Sequence, residues 1–155
     1  MCGRYTLRQT EQLPLRFEAS ATPDVRAALG PRFNIAPTQA VPIVTEERAG
    51  IRTIEFADWG LTPRRAGGGK RFLAFNARAE TLTERPLFRG LLPSSRCLIP
   101  GDGFIEWQKA GTGARPLLLR PGRRDDLRVR RVARPLARSG WRVAHRLHDH
   151  HDRAE

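Results

Sequence analysis

Cysteine is nearly absent from this 155-residue chain, with only Cys2 and Cys97 present. Two cysteines and no charged-then-apolar leader argue against a secreted disulfide scaffold and for a reducing cytoplasm. No apolar run approaches the ~20 residues that a membrane span needs, so a soluble protein with no membrane partner is expected. The glycines spell no phosphate-binding fingerprint, because Gly67-Gly68-Gly69-Lys70 lacks both a following Ser or Thr and a following helix. There is no internal repeat and no alternation of strand and helix patterns such as a doubly wound sheet requires. Acidic side chains are also short in supply: Lys+Arg 28 against Asp+Glu 16 leaves a net charge of +12. That balance points to a polyanionic partner, nucleic acid first.

The arginines are unevenly placed. Up to Ala114 the chain carries 16 Lys+Arg and 11 Asp+Glu, a balance of +5; beyond it stand 12 Arg and 5 acids, a balance of +7. All four histidines (His145, His148, His150 and His151) follow that point, whereas every Phe, the single Tyr and two of the three Trp precede it. A segment so rich in arginine and so poor in apolar residues buries little surface, so poor packing is expected from Pro121 to Glu155. The core is assigned to residues 1–120, as one domain.

Within that core, Gln9 to Phe17 and Asp24 to Leu29 have short helical periodicity. The second begins at Thr22-Pro23-Asp24, an N-cap followed by proline, and stops at Gly30-Pro31. Ala40 to Thr45 and Arg52 to Trp59 are β-branched and aromatic-rich around the turn-like residues 46–50, which reads as a hairpin. Ala66 to Lys70 is a flexible break, Arg71 to Phe75 a strand leading into Asn76, and Arg96 to Pro100 a strand ending at Gly101-Asp102-Gly103. Phe104 to Lys109 and Arg115 to Arg120 predict a second hairpin around residues 110–113. Strands dominate, with short helices between them.

Several residues could carry chemistry. Removal of Met1 before Cys2 would leave an N-terminal cysteine with an α-amine and a thiol on one residue. The amine, with a reference pKa of about 7.7–8.0, attacks an aldehyde as the neutral base, and the thiol then closes the imine into a five-membered thiazolidine. The bland alternative is that a cysteine at position two is incidental. Asn76, Arg78 and Glu80 alternate past an apolar strand and share one face if extended; a capped strand end with a solvated Arg-Glu pair explains them as well. Glu106, between Phe104-Ile105 and Trp107, is either a carboxyl raised by burial toward acid–base work or an acid on an outer strand face. Trp59 is either core or a platform for a base. The spacing of His145, His148, His150 and His151 fits neither a structural zinc site nor a helical histidine pair, so no metal is assigned.

Six segments taken together resemble the SRAP family, the abasic-site processing proteins: Met1-Cys2-Gly3-Arg4-Tyr5, Phe33 to Thr38, Trp59 to Pro63, Asn76 to Thr81, Arg96 to Pro100 and Gly103 to Trp107. They occur in the family's order and cover Met1 to about Arg120. The resemblance implies an α+β, strand-rich fold with a barrel-like sheet and short helices. It implies that Cys2 crosslinks the ring-opened aldehyde of an abasic site in single-stranded DNA as a thiazolidine. Asn76 would orient the reacting centre and Glu106 would move protons. Arg4 and Arg78 would hold phosphates, while Asn34, Pro37 and Trp59 would line the DNA-binding cleft. A peptidase-like hydrolase activity on the initiator methionine and a lyase-like DNA linkage come with the family. So do the absence of a cofactor, a monomeric state and a place in the bacterial cytoplasm at the nucleoid. Cys97 falls at a structural strand position.

The tail departs from the family. Members continue with a Phe-Ala-Phe-Ala-Gly strand, a Cys-Thr-Ile-Ile-Thr-Thr strand and a His-Arg-Met-Pro motif, none of which is spelled here. Codons exist for Leu127 to Arg131 and for Leu147 to Arg153 that give the first two strings when read one nucleotide later. A frame slip between about Leu119 and Leu127 is therefore the expected origin of the Arg/His tail, leaving the fold incomplete at its C-terminus. Two rival expectations stand beside this one: a noncovalent single-stranded nucleic-acid-binding module in which Cys2 is inert, and an inactive remnant.

Overall fold

Strand β1 (Arg4–Leu7) lies at the centre of the largest sheet, between β3 (Arg32–Ile35) and β7 (Gly103–Ala110), and β8 (Gly113–Leu119) follows β7. All three pairings are antiparallel. This computed structural model describes residues 3–47, 49–61 and 73–120, together with the backbone at Arg134–Pro135. Four residues with a single buried triplet gave β1 no pattern of its own in the sequence. It becomes a strand because both of its edges are paired, which satisfies its backbone groups in the interior.

The second sheet has the order β2 (Ala19–Ser20), β5 (Arg52–Asp58), β4 (Ala40–Glu46). The expected hairpin of β4 and β5 is present, in register from Ala40↔Asp58 to Glu46↔Arg52. Thr45 and Thr53 face each other in that ladder with their hydroxyls 2.9 Å apart. β2 adds in parallel through Ala19↔Arg52. The last sheet pairs β6 (Arg96–Cys97) with β9 (Arg134–Pro135). Leu98, just past β6, exchanges two 2.9 Å backbone hydrogen bonds with Val44 of β4. The second expected hairpin is β7–β8, paired from Phe104↔Leu119 to Ala110↔Gly113.

Two helices stand in the segments read as helical, and a third, at Pro86–Arg89, does not. A 3-10 turn at Thr10–Gln12 leads into α1 (Leu13–Phe17), which buries Leu13 and Phe17. Helix α2 (Pro23–Ala28) is capped as read from Thr22-Pro23, the Thr22 hydroxyl accepting from Val25 N at 3.3 Å. A one-turn helix α3 (Pro86–Arg89) buries Phe88. Among the described residues no helix is long and apolar enough to cross a membrane. One core cluster joins the two larger sheets and α1, with Leu7, Leu13 and Ile35 fully covered and Tyr5, Val41, Ile54 and Trp59 around them.

Three expectations need correction. The sheets do not close into a barrel: among the described residues β8 has only β7 as neighbour and β3 only β1, so the larger sheet keeps two open edges. Asn76, Arg78 and Glu80 do not share one extended face, because the chain winds into a 3-10 turn at Ala79–Thr81 that takes Glu80 out of line. The strand expected at Arg71 to Phe75 is, over its described part, a single bridge between Ala74 and Leu61. Cys2, the Ala66 to Lys70 break and the tail with its four histidines lie outside the described residues.

Candidate functional site

The site is built at the start of β1. In the β1–β7 ladder Arg4 pairs with Ile105, Tyr5 with Phe104 and Thr6 with Gly103. The ladder ends at Arg4↔Ile105, one residue before Glu106 on β7 and two residues after Cys2 in the sequence. Directly opposed residues and residues two apart share a sheet face, so Tyr5, Phe104 and Glu106 lie on one face and Arg4 on the other. Glu106 is half-buried, at the point where β7 passes from covered residues to the exposed stretch Trp107–Ala110. On the other side of β1, Tyr5 pairs with Ile35 of β3, and Arg4 Nη1 donates to Asn34 Oδ1 at 2.8 Å. Arg4 and Asn34 are therefore joined on one face of the sheet, and Glu106 lies on the other.

Asn76 belongs to another part of the chain, tied to Trp59 through its neighbour Phe75. Residues 59–61 and 73–75 are joined at three points. Gly60 stands so close to Leu73 that a Cβ there would lie 2.5 Å from Leu73 Cδ1. Leu61 and Ala74 exchange two 2.9 Å backbone bonds, and Trp59 Nε1 donates to Phe75 O at 3.2 Å. Asn76, half-buried, is the next residue. The Trp59 ring meets the edge of Phe75 at 6.5 Å and of Tyr5 at 5.3 Å between centroids. Trp59 thus connects the neighbour of Arg4 with the neighbour of Asn76. It is only 5% exposed, so of its two sequence readings the structure places the ring in the core.

The remaining candidates are less enclosed. Pro37 is half-buried in the turn that follows β3, and Arg78 is exposed beyond Asn76. Cys97 is buried in β6. No group of three or more His, Cys, Asp or Glu side chains suited to a metal occurs among the described residues. Arg52, whose basicity is raised by a hydrogen bond to Glu46 and then by the charges of Glu46 and Glu18, sits on β5.

Sequence reading missed the residue that fixes β1 most firmly. Asp102, in a segment read only as a turn, is 4% exposed. Its carboxylate accepts from Thr6 Oγ1 at 2.6 Å and from Arg8 N at 2.6 Å, and pairs with Arg8 Nε at 3.3 Å. Asp102 N returns a bond to Thr6 O at 2.9 Å. Nothing local in the sequence signals a partner 96 positions away. Also missed were Arg32 and Gln39, which brace the turn between β3 and β4.

The architecture defines a class of protein: a short-helix, strand-rich α+β domain whose central strand begins at a guanidinium held by an amide, Arg4 on Asn34, beside a strand that carries the half-buried carboxylate Glu106 on the opposite face. The family model for SOS response associated peptidase (SRAP) matches residues 1–139. The chain belongs to the SRAP family. Among curated proteins it is similar to the abasic site processing protein YoaM of Bacillus subtilis (strain 168), at 36% identity over 111 residues, covering 70% of this chain and 48% of that one. YoqW of the same strain is 37% identical over 112 residues, covering 70% and 49%. YedK of Escherichia coli (strain K12), also called an abasic site processing protein, is 29% identical over 123 residues, covering 77% and 53%. The chain spans about half the length of the curated relatives it matches. The same fold occurs in a crystal structure of a Bacteroides thetaiotaomicron protein, with a TM-score of 0.65 at 20% identity, covering 81% of this chain and 56% of that one. A Bordetella bronchiseptica protein matches with a TM-score of 0.55 at 21% identity, covering 74% and 55%.

Proposed function

We propose that this chain processes abasic sites in DNA, and that it does so by covalent capture in single strands through Cys2. The observation that supports the reading is the antiparallel pairing of β1 with β7, which sets the strand that follows Cys2 in the sequence beside the strand that carries the half-buried Glu106. The names of the relatives supply the substrate class.

The chemistry runs in two bond-forming steps. Once Met1 is removed, the neutral α-amine of Cys2 adds to the aldehyde carbon of the ring-opened sugar, giving a carbinolamine. Loss of its hydroxyl as water, with a proton supplied by a general acid, leaves an imine. The Cys2 sulfur then adds to the imine carbon; the thiol proton passes to a base and a proton reaches the nitrogen, closing the thiazolidine. One water leaves in all and no oxidant or reductant is needed. Glu106 acts as the acid in the first step and the base in the second. Asn76 holds the oxygen of the reacting carbon by hydrogen bonding. Arg4, with Arg78, takes phosphates, which the net charge of +12 favours.

The test uses denaturing gels of the full chain with single-stranded oligonucleotides that do or do not contain one abasic site. A shifted band that requires both the abasic site and Cys2 supports the reading. Binding to both strands without a Cys2-dependent band overturns it in favour of a noncovalent module.

A further inference from the structure

The turn between β3 and β4 carries a backbone conformation that its residue does not favour. Thr38 has φ of 75°, in the left-handed region that a β-branched residue rarely enters. Such a conformation persists only where its surroundings over-determine it. Here they do so from two directions. From the core side, Thr38 N donates to Trp59 O at 2.8 Å and Trp59 N donates to Gln39 O at 2.9 Å. From the outer side, Gln39 folds back so that its Oε1 accepts from Arg32 Nη2 at 2.6 Å and from Ala36 N at 3.2 Å. Arg32 Nη1 donates in addition to Ala40 O, so one guanidinium ties β3 to the two residues that end the turn. Gln39 N closes the turn on Ala36 O at 3.3 Å.

Neither bracing residue belongs to the core: Gln39 is exposed and Arg32 half-buried. The Leu7, Leu13 and Ile35 packing that holds the fold together does not depend on them. Their influence runs along a different route. The turn they brace is bonded on both sides to the backbone of Trp59, and the Trp59 indole in turn holds Phe75 O, one residue before Asn76. The same turn carries Pro37 and follows Asn34, the partner of Arg4.

We propose that Arg32 and Gln39 are positioning residues of the capture site: by bracing the 36–39 turn they fix Trp59, and through its bond to Phe75 they set where the Asn76 amide stands. The inference rests on the crosslinking function proposed above. The braced turn is a preorganised wall, and a small displacement of an orienting amide lowers the rate of the bond-forming step without removing the phosphate contacts that bind the strand.

Gln39 contributes only an acceptor oxygen to this brace, so Gln39→Glu keeps both bonds while Gln39→Leu removes both at similar size. The experiment measures crosslinking by the full chain in excess over an oligonucleotide with one abasic site, giving a first-order rate at saturation and a half-saturating concentration, with a thermal melt of each variant. For Gln39→Leu the saturating rate is expected to fall by about ten- to a hundredfold, the scale of a misplacement of about 1 Å. Half-saturation and the melt stay near wild type, and Gln39→Glu recovers most of the rate. A wild-type rate for Gln39→Leu overturns the inference. So does a loss that appears in half-saturation alone, a fall in the melt that accounts for the lost rate, or failure of Gln39→Glu to recover it. A wild-type chain that forms no crosslink overturns the proposed function itself, and this inference with it.

Discussion

Thr6 and Asp102, 96 positions apart, are joined twice: the Thr6 hydroxyl donates to Asp102 Oδ1 at 2.6 Å, and Asp102 N donates to Thr6 O at 2.9 Å. Both side chains are buried, and Arg8 adds its backbone N–H and guanidinium to the same carboxylate. Gly103 completes the contact, since a Cβ there would lie 2.7 Å from Thr6 Oγ1. The strand that leads to Cys2 is thus locked to the strand that carries Glu106. Asp102→Ala leaves a buried hydroxyl and a backbone N–H without their acceptor, which costs about 2–4 kcal/mol. The urea midpoint should fall accordingly, and Asp102→Asn, which can still accept, should lose less. An unchanged midpoint for Asp102→Ala would show that the lock contributes nothing to stability.

Gly60 is the second position where a small change should be costly. Its φ is 139° and an added Cβ would meet Leu73 Cδ1 at 2.5 Å. Gly60→Ala is expected to destabilise by about 1–3 kcal/mol, from strain and from the displaced Leu73. Gly30 has nothing within 4 Å of its added Cβ, so Gly30→Ala should change stability by no more than about 0.5 kcal/mol. Equal denaturation midpoints for the two variants would refute the close approach of residues 60 and 73.

The two hairpins and α2 were legible because each carries a local signal: alternating β-branched residues around a turn, or the Thr22-Pro23 start. β1, β2 and β3 were not, since strands of two to four residues are made by their partners and not by their own pattern. The candidate site divides in the same way. Glu106 and Asn76 stood out by their apolar flanks and family motifs. Asp102 did not, because a carboxylate between two glycines reads as a turn until its partners on β1 are known. The barrel was an expectation of the family resemblance, and the open edges at β8 and β3 came only with the strand pairing.

Arg4 offers a test of phosphate binding that is separate from chemistry. Its guanidinium is held by Asn34 at 2.8 Å, which fixes its direction at the head of β1. Arg4→Ala should weaken binding to single strands with and without an abasic site alike, and should reduce the slope of log affinity against log salt by about 0.7 for one lost phosphate contact. An unchanged slope would remove Arg4 from the binding surface.

Cys2 carries two nucleophiles, and substitution separates them. Cys2→Ala, once its Met1 is removed, keeps the α-amine and loses the sulfur, so it should still form an imine but not the ring. No band is expected for Cys2→Ala on a denaturing gel unless a borohydride is present to reduce the imine to a stable amine. A borohydride-independent band from Cys2→Ala would place the linkage on another residue.

Glu106 is tested by rate and pH together. In the proposed chemistry the carboxyl gives a proton when the carbinolamine loses water and takes one when the thiol closes the ring, so Glu106→Gln should slow capture by about 10²- to 10⁴-fold while leaving strand affinity intact. The α-amine adds only as the neutral base, and its reference pKa is about 7.7–8.0. Capture by the wild type should therefore accelerate as pH rises through that range. Glu106→Gln retains the amine, so its slower reaction should keep the same rising limb. A Gln variant with the wild-type rate would assign the proton transfers to solvent or to another side chain.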